Sequence, residues 1–127
     1  MITIPIAPVT TIPIAPVTKK NSSQIITGKN GRPMIIPSKA FRKYEEAALW
    51  YLKPLGIDYP VNIMCRFYMP THRRVDLTNL LEAIDDVMVK AGTIIDDNCE
   101  IVAGHDGSRV FVDKENPRTE IWIEEIE

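Results

Sequence analysis

The chain has 127 residues, 45% hydrophobic and 25% charged, with 15 basic against 17 acidic side chains. That length can bury a core without disulfides or a structural metal, and the composition excludes wholesale disorder and fibrous repeats. No apolar run approaches the ~20 residues of a spanning helix. The start, Met1-Ile2-Thr3, lacks a basic region, so neither a membrane segment nor a secretory signal is expected. Cys65 and Cys99 belong to no CxxC or Cys/His cluster. Both are expected to be reduced core thiols of a cytoplasmic protein, not zinc ligands.

A net charge of −2 and a pI near 5.7 point, on their face, away from nucleic acid. The distribution differs from the sum. Residues 1–44 hold seven cations (Lys19, Lys20, Lys29, Arg32, Lys39, Arg42, Lys43) and no acid, while the other 83 hold 8 basic and 17 acidic groups. A basic surface beside an acidic one is implied.

In chain order, Thr3–Thr10 and Thr11–Thr18 both read TIPIAPVT. Two octapeptides are too short for a solenoid. The second copy runs into Lys19-Lys20-Asn21-Ser22 and is expected as the first strand, with residues 1–10 a floppy or edge-paired extension. Gln24–Thr27 and Arg32–Ile36 flank an Asn-Gly pair and read as a β-hairpin. Ser38 N-caps a helix bearing Phe41, Tyr44, Ala48, Leu49 and Leu52, which Pro54 and Gly56 end. Val61–Met69 alternates as a half-buried strand, and a second helix spans about Leu77–Ala91, stopped by Gly92. Ile101–Ala103, Ser108–Val112 and Thr119–Ile126 read as strands. The expectation is one α+β domain over residues 1–127, a mixed β-sheet with two main helices packed on it.

The informative stretch is Arg73-Arg74-Val75-Asp76-Leu77-Thr78-Asn79-Leu80, followed by the rest of the helix and then Asp96-Asp97. Leu77, Leu80, Ile84, Val87, Met88 and Ala91 share a core face, while Asn79, Glu82, Asp86 and Lys90 form a polar stripe. The helix carries the chain ~22 Å. Five extended residues after Gly92 can return it ~16 Å. If they turn back, Asp97 arrives near the first or second turn, beside Asp76, Asn79 and Glu82. Carboxylates gathered there suit Mg²⁺, which takes one or two of them and keeps places for water and phosphate oxygens. Plainer readings stand beside this one. Asp76 is a good N-cap, Asp96-Asp97-Asn98 an ordinary Asx turn, and Arg73 and Arg74 surface arginines. His72 and His105 read as single surface histidines, and Trp50, Trp122 and Tyr68 as packing residues. No nucleophile elbow, GxGxxG or phosphate loop occurs, so no nucleotide cofactor is expected.

These residues resemble the RusA-type Holliday-junction resolvases of prophages and bacteriophages. The resemblance rests on RRVDLTNL (Arg73–Leu80), on Val89-Lys90-Ala91-Gly92 and on Ile95-Asp96-Asp97, with support from Pro16–Ser22 and from Pro37–Phe41. It implies a small homodimeric, Mg²⁺-dependent endonuclease in which Asp76 and Asp97 are catalytic carboxylates. The family pattern has a further aspartate at position 78 and a lysine at position 82, where this chain has Thr78 and Glu82.

The expected function is therefore paired, symmetric cleavage of four-way DNA in recombination and repair. Asp76, Asp97, Glu82 and Asp96 are the catalytic candidates. Asp76, Asp97, Glu82 and Asp86 are candidates to hold Mg²⁺, with Mn²⁺ as a substitute. Lys19, Lys20, Asn21, Lys39, Arg42, Lys43, Arg73 and Arg74 are expected on the DNA backbone. Three other readings stay open: a junction-binding protein without nuclease activity, a metal-dependent nucleotide phosphohydrolase, and a structural interaction domain with an acidic tail.

Overall fold

The structure, a computed structural model, describes residues 10–19, 24–28, 30–36 and 38–126. Residues 3–9 of the first repeat copy, and with them Lys20, Asn21 and Lys29, lie outside the described residues.

The elements are β1 (Thr10–Ile12), β2 (Gln24–Thr27), β3 (Pro33–Ile36), α1 (Lys39–Ala48), β4 (Val61–Met69), α2 (Leu77–Ala91), β5 (Val102–Gly104), β6 (Arg109–Val112) and β7 (Arg118–Glu125). β4 is the centre of a mixed five-stranded sheet. It pairs antiparallel with β7, whose far edge takes β1, and parallel with both β5 and β6 on its other edge. β5 meets the start of β4 at Val61 and Asn62, and β6 its end from Arg66 to Met69. The hairpin β2–β3 forms a sheet of its own, turning through Gly31 at φ 72°. The expected α+β architecture is the one observed.

Both helices bury one side in a single core. Phe41, Tyr44 and Ala48 of α1 and Leu80, Ala83, Ile84, Val87 and Met88 of α2 meet Ile63, Cys65, Phe67 and Ile121 of the sheet. Ser38 caps α1 as expected, its Oγ accepting from the Phe41 N–H at 3.1 Å. Gly92 ends α2 in the left-handed region at φ 77°. Its N–H reaches the Val89 carbonyl at 3.1 Å, and the Thr93 N–H reaches that of Met88 at 2.9 Å. That two-bond stop satisfies carbonyls the helix would otherwise leave open.

The structure departs from the sequence reading at several points. β1 covers only Thr10–Ile12, not the second repeat copy to Thr18, because Pro13 and Pro16 have no N–H to offer a ladder. The expected half-buried β4 is buried on both faces over Val61–Cys65. The turn after β5 covers its second face: Asn62 Oδ1 accepts from the Asp106 N–H at 2.8 Å, and Ser108 Oγ accepts from the Cys65 N–H at 3.0 Å. Cys99 is exposed, so only Cys65 is the expected core thiol, and burial pushes it well above the usual thiol range. Trp50 is 86% exposed instead of packed. No helix among the described residues is long and apolar enough to cross a membrane.

Candidate active site

Asp76 occupies the N-cap position of α2, yet its side chain makes no capping hydrogen bond. Among the described residues its carboxylate receives one contact, a long one, 3.4 Å from Asn79 Nδ2. A short acidic residue at a helix start normally bonds the open N–H groups of the first turn. Here the carboxylate is exposed and left available, so capping does not explain it.

The segment after Gly92 divides its two aspartates by role. Asp96 Oδ1 accepts from the Asp97 N–H at 2.7 Å, and Asp96 Oδ2 accepts from Asn98 Nδ2 at 3.0 Å. Asn98 then fixes the next turn, its Oδ1 accepting from the Glu100 N–H at 2.9 Å. Asp96 therefore spends both oxygens holding the loop. The Asp97 carboxylate accepts no hydrogen bond among the described residues and is exposed. The Asx turn suggested by the sequence is present, and its effect is to present Asp97.

α2 sorts its acids onto two flanks. At 100° per residue, Thr78 and Asp85 lie nearly in line on one side, Asp86 on the other and Glu82 between them. Asp85 feels the charges of both Asp97 and Asp86. Asp86 is paired with Lys19, whose ammonium is raised chiefly by that hydrogen bond and further by the charges of Glu82 and Glu45. Lys90 closes the same stripe on Glu45 of α1 at 2.6 Å. Gathering Asp76, Glu82, Asp86 and Asp97 in one cage is thus not what the fold does. Among the described residues, no three Asp, Glu, His or Cys side chains converge closely enough to hold an ion.

His105, read from the sequence as a lone surface residue, is tied into the protein at both ring nitrogens. Nδ1 lies 2.7 Å from the Ile63 carbonyl and Nε2 lies 2.8 Å from Asp85 Oδ2. A carbonyl can only accept, so Nδ1 carries a proton, and a second proton is shared between Nε2 and Asp85. Burial pulls His105 down, but the hydrogen bond and charge of Asp85, with help from Ile63, outweigh it and the imidazole stays raised. Burial also pushes the Asp85 carboxyl up, against the pull of His105, and Asp97 adds to the rise. The other oxygen, Asp85 Oδ1, is buried without a partner. His105 reads in the sequence as a surface histidine, and Asp85 carries no signal there. Asp85 differs from its neighbours only by sitting seven positions after Thr78.

Arg73 and Arg74 are exposed on the loop that leads into Asp76 and make no ion pair among the described residues. Two clefts of about 530 and 510 Å³ meet at them, one reaching Thr18 and the other His72 and Phe111. A hard divalent cation fits this donor set. The exposed carboxylates of Asp76 and Asp97 receive, among the described residues, only the one long contact from Asn79, and Asp85 Oδ1 is buried without a partner. Mg²⁺ needs only one or two carboxylates and otherwise keeps water.

A helix-borne acid, an acid held out by an Asx turn and a pair of uncommitted arginines on an α+β frame define a protein suited to phosphate chemistry. The chain matches the family described as "Endodeoxyribonuclease RusA" over residues 13–124 and belongs to that family. It is 32% identical over 81 residues to the crossover junction endodeoxyribonuclease RusA of Aquifex aeolicus (strain VF5). That match covers 61% of this chain and 63% of the relative's length.

Proposed function

We propose that the chain is a divalent-metal-dependent endodeoxyribonuclease that resolves four-way DNA junctions by paired, symmetric cuts. The observation that carries this is the Asp97 carboxylate, left without a hydrogen bond among the described residues by an Asx turn that Asp96 holds, with its charge felt by Asp85 of the helix that Asp76 begins. The family membership and the name of the Aquifex relative support the same reading.

Asp76 and Asp97 would hold the cation, Mg²⁺ with Mn²⁺ as a substitute. When bound, it supplies Lewis-acid polarisation of the scissile phosphate and neutralises charge that develops there. Arg73 and Arg74 bind and orient phosphates from the adjoining loop, where their planar forks suit two-point contacts. Glu82 stands where the family pattern has lysine, and it adds negative charge one turn beyond Thr78. Asp86 enters as the partner of Lys19, and Asp96 as the residue that holds the loop. A second copy of the chain supplies the matching centre, since a two-fold symmetric junction has to be cut twice.

Thr78 favours one other reading, a protein that binds junctions without cutting them, because it removes a carboxylate the family pattern carries. Incubation of the chain with a four-way junction and Mg²⁺, beside Asp76→Asn, separates the two. Cutting by the parent and loss of at least 100-fold in the variant, with binding kept, support the nuclease. Binding without cutting in both contradicts it. Replacing Glu82→Lys should shift the Mg²⁺ titration of cleavage, and an unchanged titration removes Glu82 from the ion's surroundings.

A further inference from the structure

α1 carries an outward stripe that the proposed centre does not use. Lys39, Arg42, Lys43, Glu46 and Trp50 are all exposed and follow one another at helical spacing. Lys39 and Lys43 form no ion pair among the described residues, and Arg42 makes only a 3.5 Å contact from Nε to the Ser38 carbonyl. Two shallow grooves run end to end along this face, one between Lys39 and Glu46 and the next between Lys43 and Trp50. The stripe bears three cations against one acid, on a chain whose other residues carry 12 basic and 16 acidic groups. Trp50 is 86% exposed, while the other tryptophan, Trp122, is 5% exposed. An indole left in water forgoes most of the burial energy its large apolar surface offers.

The stripe also has a direction. Tyr44 lies against Thr119, which is the partner of Phe67 near the end of β4, where the chain turns toward Arg73 and Asp76. The other end of α1 is tied elsewhere. Thr10 Oγ1 donates to the Tyr51 carbonyl at 2.6 Å, and Thr93 Oγ1, just past the end of α2, donates to the Lys53 carbonyl at 2.8 Å. From Lys39 to Trp50 the stripe runs about 16 Å along the helix axis.

We infer that this face of α1 is the track for one duplex arm of the branched DNA, with Lys39, Arg42 and Lys43 on its phosphates and Trp50 as the distal contact. This rests on the reading above for the substrate, but it concerns binding alone. The occupant is a polyanion because uncompensated cations line the groove. It is a nucleic acid because an exposed indole at the end of such a groove packs against the deoxyribose edges between its phosphates. The face spans roughly half a turn of duplex, whose full turn is ~34 Å.

The two tryptophans make this directly readable. Four-way junction and a linear 20-bp duplex are titrated separately into the full chain without divalent metal, and tryptophan emission is followed for the parent, Trp50→Phe and Trp122→Phe. Circular dichroism checks that each variant folds. Either DNA should quench the parent and Trp122→Phe, while Trp50→Phe loses the quench. Lys39→Ala/Arg42→Ala/Lys43→Ala should bind the junction at least tenfold more weakly, with a salt dependence shallower by about two to three ions. A quench that survives Trp50→Phe, no quench with either DNA, or parental affinity and salt slope in the triple variant overturns the inference. A parent that shows the Trp50 quench but never cuts contradicts the nuclease reading and leaves this one standing. A parent that cuts while Trp50 stays silent does the reverse.

Discussion

Asp96 and Asp97 are adjacent, chemically identical and differently employed, and the difference comes from one backbone hydrogen. Asp96 accepts the Asp97 N–H and so folds its side chain back on the loop, while the Asp97 carboxylate accepts no hydrogen bond among the described residues. At the same scale, the His105–Asp85 pair is a folding commitment. Both groups are largely buried, with side-chain exposures of 19% and 13%. Replacing His105→Ala leaves an acid inside the protein without its partner and should cost about 2 kcal/mol, measured by urea unfolding. The pair also has a pH signature. Both groups are raised, so the folded state holds protons more tightly than the unfolded chain, and stability falls as pH rises. The His105 part is full below its ordinary value of 6.5 and is lost as pH climbs through the raised folded value. The unfolding midpoint of the parent should drop as pH rises above 6.5, and His105→Gln should flatten that drop. A parental slope in His105→Gln would contradict this origin.

Among the elements, α2 matters most, since it sorts acids between two flanks and supplies the core. Its stop is exacting: Gly92 sits at φ 77°, where a β-carbon is strained even though the nearest neighbour, Pro54 Cβ, would be at an ordinary 3.5 Å. Gly92→Ala should therefore destabilise by about 1 kcal/mol through backbone strain alone, a fall of a few degrees in Tm. The spans of α2 and β4 are legible in the sequence, from a core face ending at Gly92 and from the apolar alternation of Val61–Met69, but the burial of β4's second face over Val61–Cys65 is not. The polar stripe Asn79–Glu82–Asp86–Lys90 is legible as a face, but its partners are not. Lys19 lies 67 positions from Asp86 and Lys90 lies 45 from Glu45, so only the packing of β1 and α1 decides what that face meets. The His105–Asp85 contact is hidden for a related reason. It depends on a parallel crossover from β4 through α2 to β5, which brings residue 105 over the helix midpoint. Strand ends fail for local causes, as at β1, where prolines end pairing after Ile12.

For the whole molecule, the net charge of −2 is a near-cancellation of unlike regions. The N-terminal cations divide between structure and surface: Lys19 is committed to Asp86, while Lys39, Arg42 and Lys43 face outward. Acids near the centre are left without cations, as Asp76 and Asp97 are, and the sheet's other face holds Arg66, Arg109 and Arg118 over Trp122, Phe111 and Tyr68. Junction binding should accordingly weaken steeply with salt, by about 10³-fold between 50 and 200 mM if six phosphates are contacted. A flat dependence in a filter-binding titration would contradict a backbone-tracking surface.

The assignment of unlike roles to Asp96 and Asp97 is tested most directly by cleaving a four-way junction with Asp97→Asn and Asp96→Asn side by side in Mg²⁺. The predicted result is a loss of at least 100-fold for Asp97→Asn with its Tm unchanged, and a loss below tenfold for Asp96→Asn. Parental cleavage by Asp97→Asn, or equal losses in the two variants, would contradict it.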